Sequence, residues 1–149
     1  MADTFIMRWP TLGKQVVCER IEHNKQIFDW WLDQLPTGSV QSHTIVSGWC
    51  LYSVAIPVKT PITWKPGTEV KEDLSKGVDG RFKITIPVGG VVEMLVKYGR
   101  RTETVACITF AQVRDEDLPI VREVGAAQWK AVMQTGEVIT VEFLKAEEA

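Results

Sequence analysis

The run Arg81-Phe-Lys-Ile-Thr-Ile-Pro-Val-Gly-Gly-Val-Val-Glu-Met-Leu-Val-Lys-Tyr-Gly99 reads as two strands, Arg81 to Val88 and Val91 to Tyr98, turning at Gly89-Gly90. Paired glycines between β-rich runs supply the positive φ angles that a two-residue hairpin requires. Gly99 closes the second strand, and Ala106 to Val113 gives a third of the same character.

Turn chemistry separates similar runs on both sides. Ser39 to Val58 is rich in β-branched and aromatic residues, and Ser47-Gly48 in its middle predicts two strands meeting near a bulge, a bend or a close approach. Upstream, Asn24 is placed to cap a helix with its side-chain oxygen. Ile27, Phe28, Trp31, Leu32 and Leu35 make the helix's apolar face, with Trp30 at the edge and Pro36 ending the element. Thr4 to Trp9 and Lys14 to Ile21 form a hairpin around Pro10-Thr-Leu-Gly13. Downstream, Arg114-Asp-Glu-Asp117 leads into a second helix with Leu118, Val121, Gly125, Trp129, Val132 and Met133 near one face, terminated by Gly136. Glu137 to Leu144 then alternates as a closing strand. Lys59 to Gly80, with Pro61, Pro66, Gly67, Gly77 and Gly80, is the longest loop and a candidate lid, in which Trp64 is expected to pack. The pattern predicts one mainly β domain over residues 1–149, with α+β layering. It is a closed barrel or curled sheet of about eight strands whose ends two helices cover.

The 149 residues carry 17 Lys or Arg against 19 Asp or Glu, a net charge of −2, with 45% hydrophobic residues. Such a chain can bury a core, and it lacks the broad basic field of a nucleic-acid or membrane-surface binder. Cys18, Cys50 and Cys107 show no CxxC spacing and read as buried thiols of a reducing compartment. The N-terminus shows no basic leader followed by an apolar stretch, and no run approaches the roughly eighteen apolar residues of a membrane span, so a cytoplasmic protein is expected. Two histidines without clustered cysteines or carboxylates give no metal site, and no Gly-rich loop precedes a helix N-terminus, so no cofactor is expected. Six Trp in one domain of this size is unusual. Trp31 and Trp129 fall on helix core faces and read as structural, and Trp9 is open. Trp30, Trp49 and Trp64 are placed to wall a pocket for a flat ring or a cation.

Glu93 lies in an otherwise apolar strand. If buried it is a candidate general base with a raised pKa; if the strand alternates about an inner face of Val92, Met94 and Val96, it faces solvent. His43, the one strand histidine, titrates near neutrality and can share proton transfer, or it is a satisfied structural residue. Ser47 and Gly48 follow it at the expected bulge, where backbone N–H groups can face a ligand. No Gly-x-Ser-x-Gly elbow surrounds Ser47, which argues against a serine hydrolase. Lys97, Arg100 and Arg101 cluster around the turn after Tyr98. An Arg there can clamp a carboxylate, or the segment is an ordinary charged hairpin.

Pro87, Gly89, Gly90, Glu93, Tyr98 and Gly99, with His43, Ser47 and Gly48 upstream, resemble the pattern of a family of bacterial cyclophilin-like proteins, and the order of elements agrees over nearly the whole chain. The group is similar to the N-terminal part of cucumopine synthase, which condenses histidine with 2-oxoglutarate and cyclises the imine. The resemblance implies a cyclophilin-like closed barrel and a small-molecule enzyme working by acid/base chemistry on a carboxylate-bearing or heterocyclic substrate. Its sharpest form is an opine-synthase-like, Pictet-Spengler-type condensation. Glu93, His43 and Tyr98 are then the expected catalytic groups, and Trp30, Ser47, Gly48, Trp49, Trp64, Arg100 and Arg101 the expected substrate contacts. The Phe-His-Arg-like and Gln-Gly-Gly-Asp-like segments of prolyl isomerases do not occur, so that activity is not expected. A non-catalytic ligand-binding or interaction module, a hydrolase or lyase of cyclic amides, and a homo-oligomer all stay open. Fold does not fix function.

Overall fold

The computed structural model describes residues 3–86 and 90–148, and each of the eight runs that alternation marks as strand is one. β1 (Thr4–Trp9) pairs with β2 (Lys14–Arg20) through the expected hairpin, where Gly13 takes φ 62°. On its other edge β1 meets β9 (Ile139–Lys145), and β9 meets β3 (Thr37–His43). β3 pairs with β4 (Gly48–Pro57), and β4 pairs with β7 (Val91–Arg101). β7 pairs with β6 (Arg81–Thr85), β6 with β8 (Ala106–Val113), and β8 returns to β2. All pairings are antiparallel, and this ring of eight strands closes the barrel. A closed barrel leaves no edge to aggregate. Pro87, Val88 and Gly89 lie outside the described residues, so the expected Gly-Gly turn is described only at Gly90, φ 75°.

The stretch 59–80 is not a structureless loop. It contains a ninth strand, β5 (Lys71–Asp73), paired with residues 106–108 of β8. Its first part folds over α1 (Lys25–Gln34), where Trp64 meets Trp30 edge to face at 5.4 Å and Trp30 Nε1 donates to Pro61 O at 3.0 Å.

Phe5, Phe28, Trp31, Phe82, Phe110 and Phe143 fill the interior, all fully buried. Trp31 of α1 meets Phe5, Phe110 and Phe143 edge to face, with Phe143 nearest at 5.3 Å. Trp9 is core as well, its Nε1 donating to Gln41 Oε1 at 2.6 Å. β4 carries a bulge at Ser53–Ile56, with Ala55 at φ 51°, which lets Leu51 and Ile56 both reach the core. α1 lies at the barrel end where β4 finishes and β7 begins. α2 (Leu118–Lys130), continued by one π turn to Thr135 and ended by Gly136, lies at the opposite end. No described helix is long and apolar enough to cross a membrane. All three cysteines are buried and free.

Two expectations are corrected. Asn24 starts α1 from a left-handed conformation, φ 56°, but its side chain does not cap the helix. Nδ2 donates to Val70 O at 2.8 Å and Thr109 O at 2.6 Å, and Oδ1 accepts from Val70 N at 2.9 Å, tying the 59–70 segment to β8. These buried bonds out of the helix use the atoms a cap would need. Asn24→Gly keeps the left-handed backbone and deletes only those bonds. It is expected to lower stability by about 1–3 kcal/mol in a urea titration, and an unchanged midpoint would show that the pin is idle. The second correction is Trp129, which is 42% exposed, and with it Met133, 53% exposed. The buried positions of α2 are Val121, Val124, Gly125 and Gln128, so the helix is rotated from the phase its apolar residues suggest.

Candidate functional site

His43 ends β3, facing inward and largely buried. Its Nδ1 lies 2.6 Å from Thr44 O. A carbonyl oxygen only accepts, so Nδ1 carries the hydrogen. Nε2 of the neutral ring is therefore an acceptor, and the Tyr98 hydroxyl donates to it at 2.6 Å. Thr44 is held in turn, its Oγ1 donating to Gly48 O at 2.8 Å and its N–H to Cys50 O at 3.0 Å. Burial pushes the His43 imidazole below its ordinary pKa, with the Thr44 carbonyl opposing. Burial, helped by Cys50, pushes the Tyr98 phenol up to about 12. Both groups are neutral at pH 7, a base and an acid already joined.

Aromatic rings surround the pair. Trp129 packs against His43 at 5.1 Å and Trp49 against Tyr98 at 5.9 Å. Absent side chains make the room. A Cβ on Gly125 would fall on the Tyr98 Cζ and hydroxyl, and one on Gly99 would lie 3.0 Å from the Trp49 ring. Gly48, at φ +98°, lets β4 approach the backbone of β7, since a Cβ there would lie 2.9 Å from Arg101 Cα and on Arg100 O. The result is a cavity of about 530 Å³ walled by His43, Tyr98, Trp49, Trp129 and Ile45, with Gly125 and Ala126 as floor and Arg122 beside them. That volume suits a small-molecule ligand.

The structure brings His43, Gly48, Trp49 and Tyr98 to this cavity. The other expected site residues lie elsewhere. Val92, Met94 and Val96 take the inner face of β7, which puts half-buried Glu93 on the outer face beside Tyr52. Burial first, and Glu93 second, raise the Tyr52 phenol. Strand alternation thus separates Glu93 from the His43–Tyr98 pair. Ser47 is absent from the cavity lining; its Oγ donates to Glu103 Oε1 at 2.8 Å. Trp30 and Trp64 sit at the far end of the barrel, where Trp30 walls a second cavity of about 320 Å³ with residues 58–62 and 90–92. The cation cluster disperses. Lys97 is buried against Asp79 at 2.6 Å and Arg101 against Glu103 at 3.0 Å, while Arg100 is exposed and lines no described cavity.

The cavity's cation is instead Arg122, which sequence reasoning missed together with Ala126 and the role of Trp129. Arg122, Gly125, Ala126 and Trp129 stand at i, i+3, i+4 and i+7, one edge of α2, and that spacing was the available signal.

No family model matches the chain, and no curated protein matches it. Among solved structures it is similar to McbB, whose structure was determined in complex with tryptophan. The two share 30% sequence identity over 97% of this chain, with a TM-score of 0.78. This chain spans 45% of the length of that one. The chain thus shares with McbB the fold of its closed antiparallel barrel.

Proposed function

We propose that this chain is a small-molecule enzyme that moves protons on an aromatic or heterocyclic substrate bearing a carboxylate. The observation that carries the reading is the 2.6 Å hydrogen bond from Tyr98 to His43 Nε2 in the wall of the aromatic cavity. Trp49 and Trp129 flank a flat ring, and the fork of Arg122 holds the carboxylate. Tryptophan, the molecule seen with McbB, joins a ring, an amine and a carboxylate, and these match the three features.

The sharpest form rests on the resemblance to cucumopine synthase: an amine and a carbonyl condense with loss of water, and the imine is attacked by a ring carbon. That carbon must then lose its proton. His43 Nε2 is the neutral base that takes this proton, and the Tyr98 hydroxyl, displaced from Nε2 as it does so, turns its hydrogen to a substrate oxygen. Glu93 has no part in this step, because it stands on the outer face.

The test is to incubate the protein with aromatic amino acids and a panel of keto acids and aldehydes, and to seek by mass spectrometry the adduct less one water. Thermal shifts show binding separately. Arg122→Ala is expected to raise KM for carboxylate substrates about 10- to 100-fold with kcat little changed, the loss of a charged hydrogen bond. Glu93→Gln is expected to keep kcat/KM. Loss of turnover in Glu93→Gln, or indifference to Arg122→Ala, would move the site elsewhere.

A second reading has its own observation. Ile45 and Trp49, which line the cavity, are 63% and 58% exposed, and Val46, next to Ile45 in the chain, is 79% exposed, as an interaction module would present them. Binding without any adduct over the whole panel favours that module.

A further inference from the structure

The hydrogen bond between Tyr98 and His43 has one direction in the neutral pair. Nδ1–H of His43 is committed to Thr44 O at 2.6 Å, so Nε2 is the only nitrogen that can take up a proton. Nε2 already accepts from the Tyr98 hydroxyl, and two hydrogens cannot occupy one 2.6 Å contact. If Nε2 gains a proton, the phenol keeps its own and must turn it elsewhere. Among the described residues the hydroxyl has no other partner, and Tyr98 lines the cavity.

We propose that protonation of His43 reverses this bond and turns the Tyr98 hydroxyl hydrogen into the cavity, so that one pocket accepts from a ligand N–H when His43 is neutral and donates to a ligand oxyanion when it is charged. The inference rests on reading the cavity as a ligand site and adds which ligand charge it takes at which pH. A proton passes from solvent to Nε2, and the Tyr98 hydrogen rotates without leaving its oxygen. No covalent bond to the ligand forms.

The groups facing His43 leave it as the one that changes charge. From β7 comes Tyr98, and from α2 come Trp129, which does not titrate, and Arg122, which is always charged. From β4 comes the Cys50 thiol behind Thr44, which burial pushes up to about 11. No carboxylate lines the cavity among the described residues. Burial lowers the His43 pKa, so the acceptor state rules at neutrality and the donor state appears on acidification.

The experiment is calorimetric titration of the wild type and Tyr98→Phe with a naphthalene sulfonate, anionic throughout, and a naphthylmethylamine, cationic throughout, from about pH 8 to about pH 5. The His43 ring signal is followed by NMR. In the wild type, sulfonate affinity is expected to rise about tenfold or more as His43 protonates, and amine affinity to fall by a similar factor. Charge on His43 alone would also raise sulfonate affinity and lower amine affinity, so Tyr98→Phe, which keeps that charge and removes the hydroxyl, is the deciding arm. There His43 still titrates, and most of both slopes is expected to vanish. Equal slopes in wild type and Tyr98→Phe overturn the reversal while leaving the pocket reading intact. Failure of the wild type to bind either ligand overturns both.

Discussion

His43→Gln is expected to lower kcat/KM about 10²- to 10⁴-fold while the barrel stays folded, the usual worth of a positioned general base. Glutamine is close in size and can still meet the Tyr98 hydroxyl, but it cannot take up a proton near neutrality. The wild-type pH profile carries the same claim with a sign. Only neutral His43 accepts a proton, so activity is complete at pH 7 and is lost as pH falls through its pKa. Burial sets that pKa below the ordinary histidine value, so the acid limb lies below about pH 6.5. Stability shifts in the same direction. A histidine whose folded pKa is depressed contributes stability above its unfolded value, and that contribution fades as pH falls through the folded one. Circular dichroism at each pH separates the two losses. An acid limb at or above pH 6.5 in folded protein would remove His43 from the base role.

Gly125→Ala is expected to harm both stability and activity, although alanine is the better helix former by about 0.5–1 kcal/mol. The new methyl would fall on the Tyr98 Cζ and hydroxyl and 2.8 Å from its Cε2, and the ring cannot stay where it donates to His43. Overpacking of this kind costs about 1–3 kcal/mol, which outweighs the helical gain. Loss of the hydrogen bond to His43 should follow, read as a fall in kcat/KM of about 10-fold or more. A double-mutant cycle isolates the cause. In Tyr98→Leu the clashing atoms are gone, so Gly125→Ala should there become neutral or stabilising in a urea titration. The same penalty in both backgrounds would mean that Gly125 serves something other than the Tyr98 ring.

How far this was legible in sequence differs by element. The barrel was, because strand alternation and turn glycines are local signals: Phe5, Met7 and Trp9 face inward for the reason that they alternate. The outer position of Glu93 follows from that same alternation in Val91 to Val96, and the apolar setting only made burial look as plausible. The site was half legible. His43, Gly48, Trp49 and Tyr98 stand on strands whose register can be followed. Arg122 and Trp129 stand on a helix whose rotation was assigned from its apolar residues, and a polar residue decided it. Gln128 is buried and donates to Gln41 Oε1 at 2.6 Å, and Gln41 also receives Trp9 Nε1. A bond between residues 87 positions apart leaves no local mark, yet it turns Gln128 inward and Trp129 onto the cavity. The loss of the expected cation cluster has a similar cause, since Lys97 and Arg101 find Asp79 and Glu103 only once the barrel is closed.

The packed rings of Phe5, Phe28, Trp31, Phe82, Phe110 and Phe143 stand between the cavity beside α2 and the one beside α1. The barrel is therefore a cup with a solid base and not a conduit. Whatever enters beside Trp49 and Trp129 must leave by the same mouth, so a departing product and an arriving substrate exclude each other. In steady-state kinetics that geometry appears as product inhibition competitive with the ring-bearing substrate, cured by dilution and untouched by any change at the α1 end.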